Sequence, residues 1–283
     1  MVPSILIKFI RRRVLISCLQ IIIFVYKILN QRLLKYFPAV RNELLFYPYF
    51  LYKKFIEDQT DKIFNKIYPH LKNGCILDVG ACLGYTAKCF ANKDFSNRMV
   101  FAFEPHPHNY QQLKKISQSV SNITPFNLAV GAKKGEISIW ENQNSFADHR
   151  VINENFDSKI GKSDKRIQVP MTSIDLFTQE SGNQDVALIK IDVQGYEVEV
   201  CYGMIETLAK NSGIFILIEL SPIALGDLGF NFEEIFDFFS DRDFGCYSLQ
   251  DGRIIKVDLE WLTNILEISE YIDVIFSKKS PAT

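Results

Sequence analysis

Two apolar runs joined through a glycine-bounded turn constrain this chain more than any other feature. The first, Cys75-Ile76-Leu77, leads through Asp78 and Val79 into a turn flanked by Gly80 and Gly84. Tyr85 to Phe90 then reads as the opening of a helix, and a second run, Met99 to Phe103, ends in Glu104 twenty positions after Gly84. Short buried strands on either side of a helix predict a βαβ unit with parallel strands. The glycines let backbone approach a ligand at the turn, and a carboxylate ending the second strand can grip two ribose hydroxyls. That geometry fits an adenosine-containing cofactor.

The residues of the turn narrow the choice. A dinucleotide site uses Gly-x-Gly-x-x-Gly, with bare backbone and a helix N-terminus facing the pyrophosphate. Here the turn is Gly80-x-x-x-Gly84, with Ala81 and Cys82 inside it and Asp78 before it. A carboxylate aimed at the turn repels a pyrophosphate and suits a cationic group, such as the ammonium of a methionine moiety. The pattern favours S-adenosylmethionine over NAD, with Asp78, Gly80, Ala81, Gly84 and Glu104 as candidate cofactor contacts. Glycines kept only for packing are the alternative reading.

Strand and helix signals continue to alternate along the chain. Strands are expected at 75–79, 99–104, 123–128, 187–192 and 214–220, and helices at 84–92, 107–119, 198–211 and 232–241. Such alternation predicts an α/β fold with a mostly parallel sheet covered on both faces, its ligands beyond the carboxyl ends of the strands. Asp78, Glu104, Asn127, Asp192 and Glu219 all fall at or near those ends, which a plain apolar core does not require. Asn127, or the backbone beside it, is expected to meet the adenine. Gln250-Asp251-Gly252 is a hairpin signal between strands at 245–249 and 253–257, and a last strand is expected at 271–276. The polar segment 141–166 has no periodicity, and a loop of that length is expected to serve function as an acceptor wall.

The motifs, taken together, resemble the FkbM family of S-adenosylmethionine-dependent methyltransferases. In order they are Asp78-Val79-Gly80-Ala81-x-x-Gly84-Tyr85, Phe103-Glu104-Pro105, Leu128-Ala129-Val130-Gly131, Thr172-Ser173-Ile174-Asp175, Lys190-Ile191-Asp192-Val193-x-Gly195-x-Glu197 and Ile218-Glu219. The resemblance runs from about Gly74 to Pro222. Cys82 stands where the family usually has asparagine, and Gln194 where it usually has glutamate. The resemblance implies a Rossmann-like class I methyltransferase fold, a seven-stranded sheet with an antiparallel edge that the last strand completes. It also implies methyl transfer to a hydroxyl, often of a sugar or secondary metabolite. It supports the importance of the Lys190–Glu197 motif without assigning roles within it.

On the acceptor side the candidates are Asp192, with Lys190 and Glu197 beside it. Asp192 reads as a general base, a group that orients the acceptor, or a cap for the helix after Gly195. An unpaired ammonium inside an apolar strand is costly, so Lys190 needs a carboxylate, for which Glu219 is the candidate. His106, in the loop after Glu104, reads as a solvated loop histidine or an adenosine contact. Asp148-His149-Arg150 offers a second source of a base. The four histidines and six cysteines show no metal-ligand spacing and no CxxC, so no metal is expected, and the cysteines are expected to be reduced in a cytosolic compartment.

At 283 residues and 47% hydrophobic content, the chain has room for one α/β domain and an appendage. Its net charge of −1 hides an asymmetry. Residues 1–42 hold eight of the 32 basic residues and no acid, so the other 241 hold 24 basic against 33 acidic, a net of −9. An acidic body argues against nucleic-acid binding, and the basic, apolar leader argues for the cytoplasmic face of a membrane. Val14 to Tyr26 is uncharged but only thirteen residues long, roughly 20 Å of helix against a hydrocarbon core of about 30 Å. An interfacial helix, a helix packed on the enzyme or on a second copy, and a true span all remain open. The expected organisation is a leader (1–42), an aromatic-rich helical lead-in (43–73) and the methyltransferase domain (74–283). Aromatic residues of the lead-in, Phe46, Tyr47, Tyr49, Phe50, Tyr52 and Phe55, are expected to cover the sheet rather than form a lid. Two other classes stay beside the methyltransferase: a scaffold that kept the fold and lost catalysis, and a nicotinamide oxidoreductase, which lacks its third glycine.

Overall fold

The run from Cys75 to Val79 is buried at all five positions and forms strand β1, at the heart of an eight-stranded sheet. The computed structural model describes residues 59–281 except 94–96, 144 and 183, together with residues 49, 50 and 53. The leader, and Phe46, Tyr47, Tyr52 and Phe55 of the lead-in, lie outside the described residues. The chain divides into two units, residues 1–58 and 59–283, and all the described strands lie in the second.

That unit opens with helix α1 (Gln59–Ile67), followed by β1, α2 (Tyr85–Lys93), β2 (Val100–Phe103), α3 (Pro107–Ser117) and β3 (Ile123–Phe126). Phe64 of α1 packs on Phe90 of α2 with ring centroids 4.5 Å apart, and Asp61 pairs with Lys93. Next come β4 (Ala129–Val130), β5 (Gly135–Trp140), β6 (Arg150–Val151), α4 (Glu154–Asp157), β7 (Arg166–Thr172) and α5 (Ile174–Glu180). The remainder is β8 (Val186–Ile191), α6 (Glu197–Tyr202), α7 (Ile205–Lys210), β9 (Phe215–Leu220), α8 (Pro222–Asp227), α9 (Phe232–Ser240), β10 (Gly245–Gln250), β11 (Arg253–Val257), α10 (Leu259–Leu266) and β12 (Ile272–Ser277).

The large sheet runs β3-β2-β1-β8-β9-β12-β10-β11, with parallel pairing from β3 through β9. β1, β2 and β8 are buried along their whole length, as strands covered on both faces must be. The order, with its central β1 and outlying β3, is that of a Rossmann-like α/β fold. It has eight strands where seven were expected. The last strand, β12, is not an edge: it is antiparallel to both β9 and β10 and lies between them. The edge is β11, the second arm of the hairpin whose turn residues Asp251 and Gly252 both take positive φ (+47° and +76°).

Two further expectations are corrected. The helix expected over 198–211 is two helices, α6 and α7, parted at Gly203, which packs on the residue after β4: a Cβ there would lie 2.1 Å from the Gly131 carbonyl oxygen. The segment 141–166 is not a structureless loop. It holds β6 and α4, and β6 joins β4, β7 and β5 in a second, four-stranded sheet packed around Ala129, Ile139, Val169 and Met171.

Candidate functional site

In the register of β1 and β8, Asp78 stands opposite Lys190 and Val79 opposite Ile191. The turn after β1 therefore meets the segment after β8. Gly80 takes φ +81°, and a Cβ on it would come 1.8 Å from the Asp192 carbonyl oxygen, so only glycine lets the two segments touch. Gly84, at φ +85°, faces Leu113 and Ile116 of α3, which a Cβ would approach to 2.8 Å and 3.1 Å. Close backbone approach thus requires glycine at 80, left-handed backbone favours it at 84, and Ala81 between them is buried.

Lys190 joins the two segments. Its Nζ donates to the Gly80 carbonyl (3.1 Å) and to Asp192 Oδ2 (3.2 Å), and lies 3.6 Å from Asp78 Oδ1. Burial alone would lower its pKa, but the charges of Asp192 and Asp78 outweigh burial and hold it above the usual lysine range. Asp78 is wholly buried and accepts no hydrogen bond on either oxygen. Burial pushes its carboxyl up, against the pull of Lys190. The partner expected for Lys190 was Glu219; its close carboxylates are instead Asp192 and Asp78, with Glu219 adding a weaker attraction. Register explains this: Lys190 pairs with Leu217, which places Glu219 two residues farther along β9.

The other Asp192 oxygen, Oδ1, accepts from Gln194 Nε2 at 2.8 Å, and the same amide lies 3.4 Å from Glu219 Oε1. Glu197, at the start of α6, is buried and turned onto its own loop, where Oε1 accepts from the amides of Val193 (3.0 Å) and Gly195 (3.2 Å). Burial raises Glu197 to about 7, and those amides oppose the shift. Of the three residues expected on the acceptor side, Lys190 is engaged by protein and Glu197 by its Oε1, with Oε2 buried and accepting no hydrogen bond, while Asp192 has a partly exposed side chain.

At the end of β2 the carboxylate of Glu104 closes the glycine turn. Its Oε2 accepts from the Cys82 amide (2.8 Å) and its Oε1 from the His106 amide (2.9 Å). Burial raises its pKa to about 8, with the two amides pulling the other way. Cys82 holds this amide in place with φ +51°, a left-handed conformation that asparagine adopts more readily than cysteine. Asn127 follows β3 and donates to the carbonyls of Glu104 (2.9 Å) and Pro105 (2.8 Å), so its amide braces the strand end that carries Glu104.

The segment after β5, expected from the sequence as a loop without regular structure, packs beside this strand end. His106 is buried rather than solvated: its ring stacks on His149 (centroids 3.8 Å apart, 21° between planes), and Nε2 lies 3.7 Å from Glu141 Oε2. Burial holds His106 down at about 4, with Glu141 pulling upward. Asn109 of α3 donates to the Phe146 carbonyl at 2.7 Å, and Arg150 pairs with Asp148 and with Asp227 of α8, each at 2.6 Å. Asn153 and Asn155 reach the Leu228 carbonyl at 2.7 Å and 3.1 Å. The segment is thus bolted to α3 at one end and to α8 at the other. No local signal marks Asn109 or Asp227, because their partners lie 37 and 77 residues away. Among the described residues, no group of three or more His, Cys, Asp or Glu is arranged to hold a metal ion.

The Thr172–Asp175 motif is explained by capping. Ser173 Oγ accepts from the Leu176 amide at the start of α5, while Asp175 accepts from the amides of Glu206 and Thr207 (3.0 Å and 2.7 Å) at the start of α7.

Residues 78–246, more than half of the chain, match the methyltransferase FkbM domain. The chain belongs to the FkbM methyltransferase family. Every segment joined by Glu104 and Lys190 falls inside the matched region. A curated relative, the hexuronic acid methyltransferase AglP of Haloferax volcanii, is 26% identical over 144 residues, which is 50% of this chain and 54% of that protein. The chain therefore spans about half the length of that relative. Solved structures similar to the FkbM chain include precorrin-6y C5,15-methyltransferase from Geobacter metallireducens (10% identity, 77% of this chain and 87% of that one, TM-score 0.41). Another is magnesium protoporphyrin IX methyltransferase from Synechocystis with bound SAM (8% identity, 78% of each chain, TM-score 0.39).

Proposed function

We propose that this FkbM methyltransferase moves a methyl group from S-adenosylmethionine to a hydroxyl of a sugar or glycan. The observation that carries the reading is the joint made by Lys190, which brings the glycine turn, Asp78 and Asp192 together one strand from Glu104. Each Glu104 oxygen accepts one amide and keeps a further lone pair, enough for two ribose hydroxyls. Asp78 and Asp192 outnumber the ammonium of Lys190, an imbalance that suits a cationic cofactor. When bound, S-adenosylmethionine supplies a methyl group on a sulfonium.

The chain's own residues then divide the work. Lys190 is a positioning residue, and Glu197 organises the loop between β8 and α6. Asp192 is the partly exposed carboxylate at the strand end, placed to accept a hydrogen bond, and in turn a proton, from an acceptor hydroxyl. The covering segment 141–155 forms a wall of the acceptor site. The basic leader supports placing the enzyme at a membrane surface with a lipid-linked or glycan acceptor.

Labelled methyl transfer to oligosaccharides tests the reading. The expected product is an alkali-stable methyl ether whose formation stops in Asp192→Asn. Label that is released by mild base, as from a methyl ester, contradicts hydroxyl transfer.

A further inference from the structure

We propose that Gln194 determines acceptor specificity and fits the site to an uncharged polyhydroxyl acceptor. The inference rests on the methyltransferase reading above. Ile191 pairs with Ile218, so the next residues, Asp192 and Glu219, emerge side by side from β8 and β9. Two neighbouring carboxylates repel unless a group between them donates to both. Gln194 is that group, with Nε2 2.8 Å from Asp192 Oδ1 and 3.4 Å from Glu219 Oε1. The backbone accepts a left-handed φ of +56° at Gln194 to put the amide there. A glutamate, the residue usual in the family, would make a third carboxylate that needs a proton or a bound cation. The amide removes that need.

Charge then selects the acceptor. Asp78, Asp192 and Glu219 all attract the single ammonium of Lys190, and Gln194 adds no charge. Three cations near the covering segment are already engaged: Arg150 with Asp148 and Asp227, Lys159 with Asp227, and Lys165 with Glu141. An acidic acceptor meets surplus negative charge, whereas a hydroxyl donates straight to a carboxylate. The predicted choice is therefore opposite to the hexuronic acid in the name of the Haloferax volcanii relative.

The test is ligand-observed saturation-transfer NMR on the full chain with S-adenosylhomocysteine. The probes are methyl glycosides of glucose, galactose and mannose and the methyl glycosides of the matching uronic acids. At least one neutral glycoside is expected to bind, its uronide at least tenfold more weakly. Gln194→Glu should lose the neutral ligand tenfold or more at pH 8 and regain it with millimolar magnesium. Gln194→Ala, which removes the tie without adding charge, should weaken neutral binding without admitting uronides. Equal or tighter binding of a uronide, or binding of no neutral glycoside, overturns the proposal. A titration of the wild type with S-adenosylhomocysteine in the same samples separates the two readings: its failure overturns the cofactor assignment itself, and the inference with it.

Discussion

Lys190 Nζ lies 3.6 Å from Asp78 Oδ1 across two strands whose register sets the residues directly opposite each other. The contact makes two motifs more than a hundred residues apart into one structure. Asp78 has no hydrogen bond to fall back on, so removing the ammonium leaves a bare buried carboxylate. Lys190→Met is expected to cost about 3–5 kcal/mol, the usual price of breaking a buried pair. Adding Asp78→Asn should restore part of it. Chemical denaturation of the two single variants and the double variant measures the coupling, and additive losses contradict it.

Gly80 and Gly84 differ in what an alanine would meet. At Gly80 the obstacle is the Asp192 backbone, and at Gly84 it is the tips of Leu113 and Ile116. Left-handed strain costs each about 1–3 kcal/mol. Gly80→Ala should add a clash no rotamer relieves and leave little folded protein. Gly84→Ala should fold with a lowered melting temperature. Equal melting temperatures for the two would show that the close approach at Gly80 is unimportant.

Cys82 holds φ +51° where the family usually has asparagine. Asparagine tolerates that conformation, so Cys82→Asn is expected to stabilise the protein by up to about 1 kcal/mol and to leave the amide that meets Glu104 in place. Calorimetric melting checks this, and a destabilised variant would mean that the sulfur's contact with the Phe146 carbonyl (3.8 Å) matters more than the backbone.

Burial raises Glu104 from 4.5 to about 8, so between those values the folded protein keeps a proton that the unfolded chain has lost. Its contribution to stability is complete below about pH 4.5 and declines as pH rises toward 8. Relative to Glu104→Gln, the wild type should therefore lose stability over that window. Cofactor affinity should run the other way and strengthen as the carboxylate ionises near pH 8. Parallel melts and titrations from pH 5 to pH 9 test both slopes; identical profiles for the two proteins contradict the assignment.

What the sequence revealed was what local pattern encodes. Short apolar runs, the glycine turn and the strand-end acids led directly to β1, β2, β8 and the Glu104 and Asp192 positions. The second sheet was missed because β4 and β6 are two residues long and Pro170 interrupts the strand signal of β7. Lys190 was rightly seen to need a carboxylate, but choosing between Asp78 and Glu219 depends on strand register, which spacing alone does not fix. His106 read as solvated because nothing near it in sequence reveals that His149 and Glu141 cover it.

The most direct test of the central claim is calorimetric titration of the protein with S-adenosylhomocysteine, run beside Glu104→Ala. The expected result is saturable binding by the wild type that the substitution weakens at least tenfold, about 1.4 kcal/mol. Equal affinity in the two proteins, or no binding by either, would contradict a cofactor site built on Glu104.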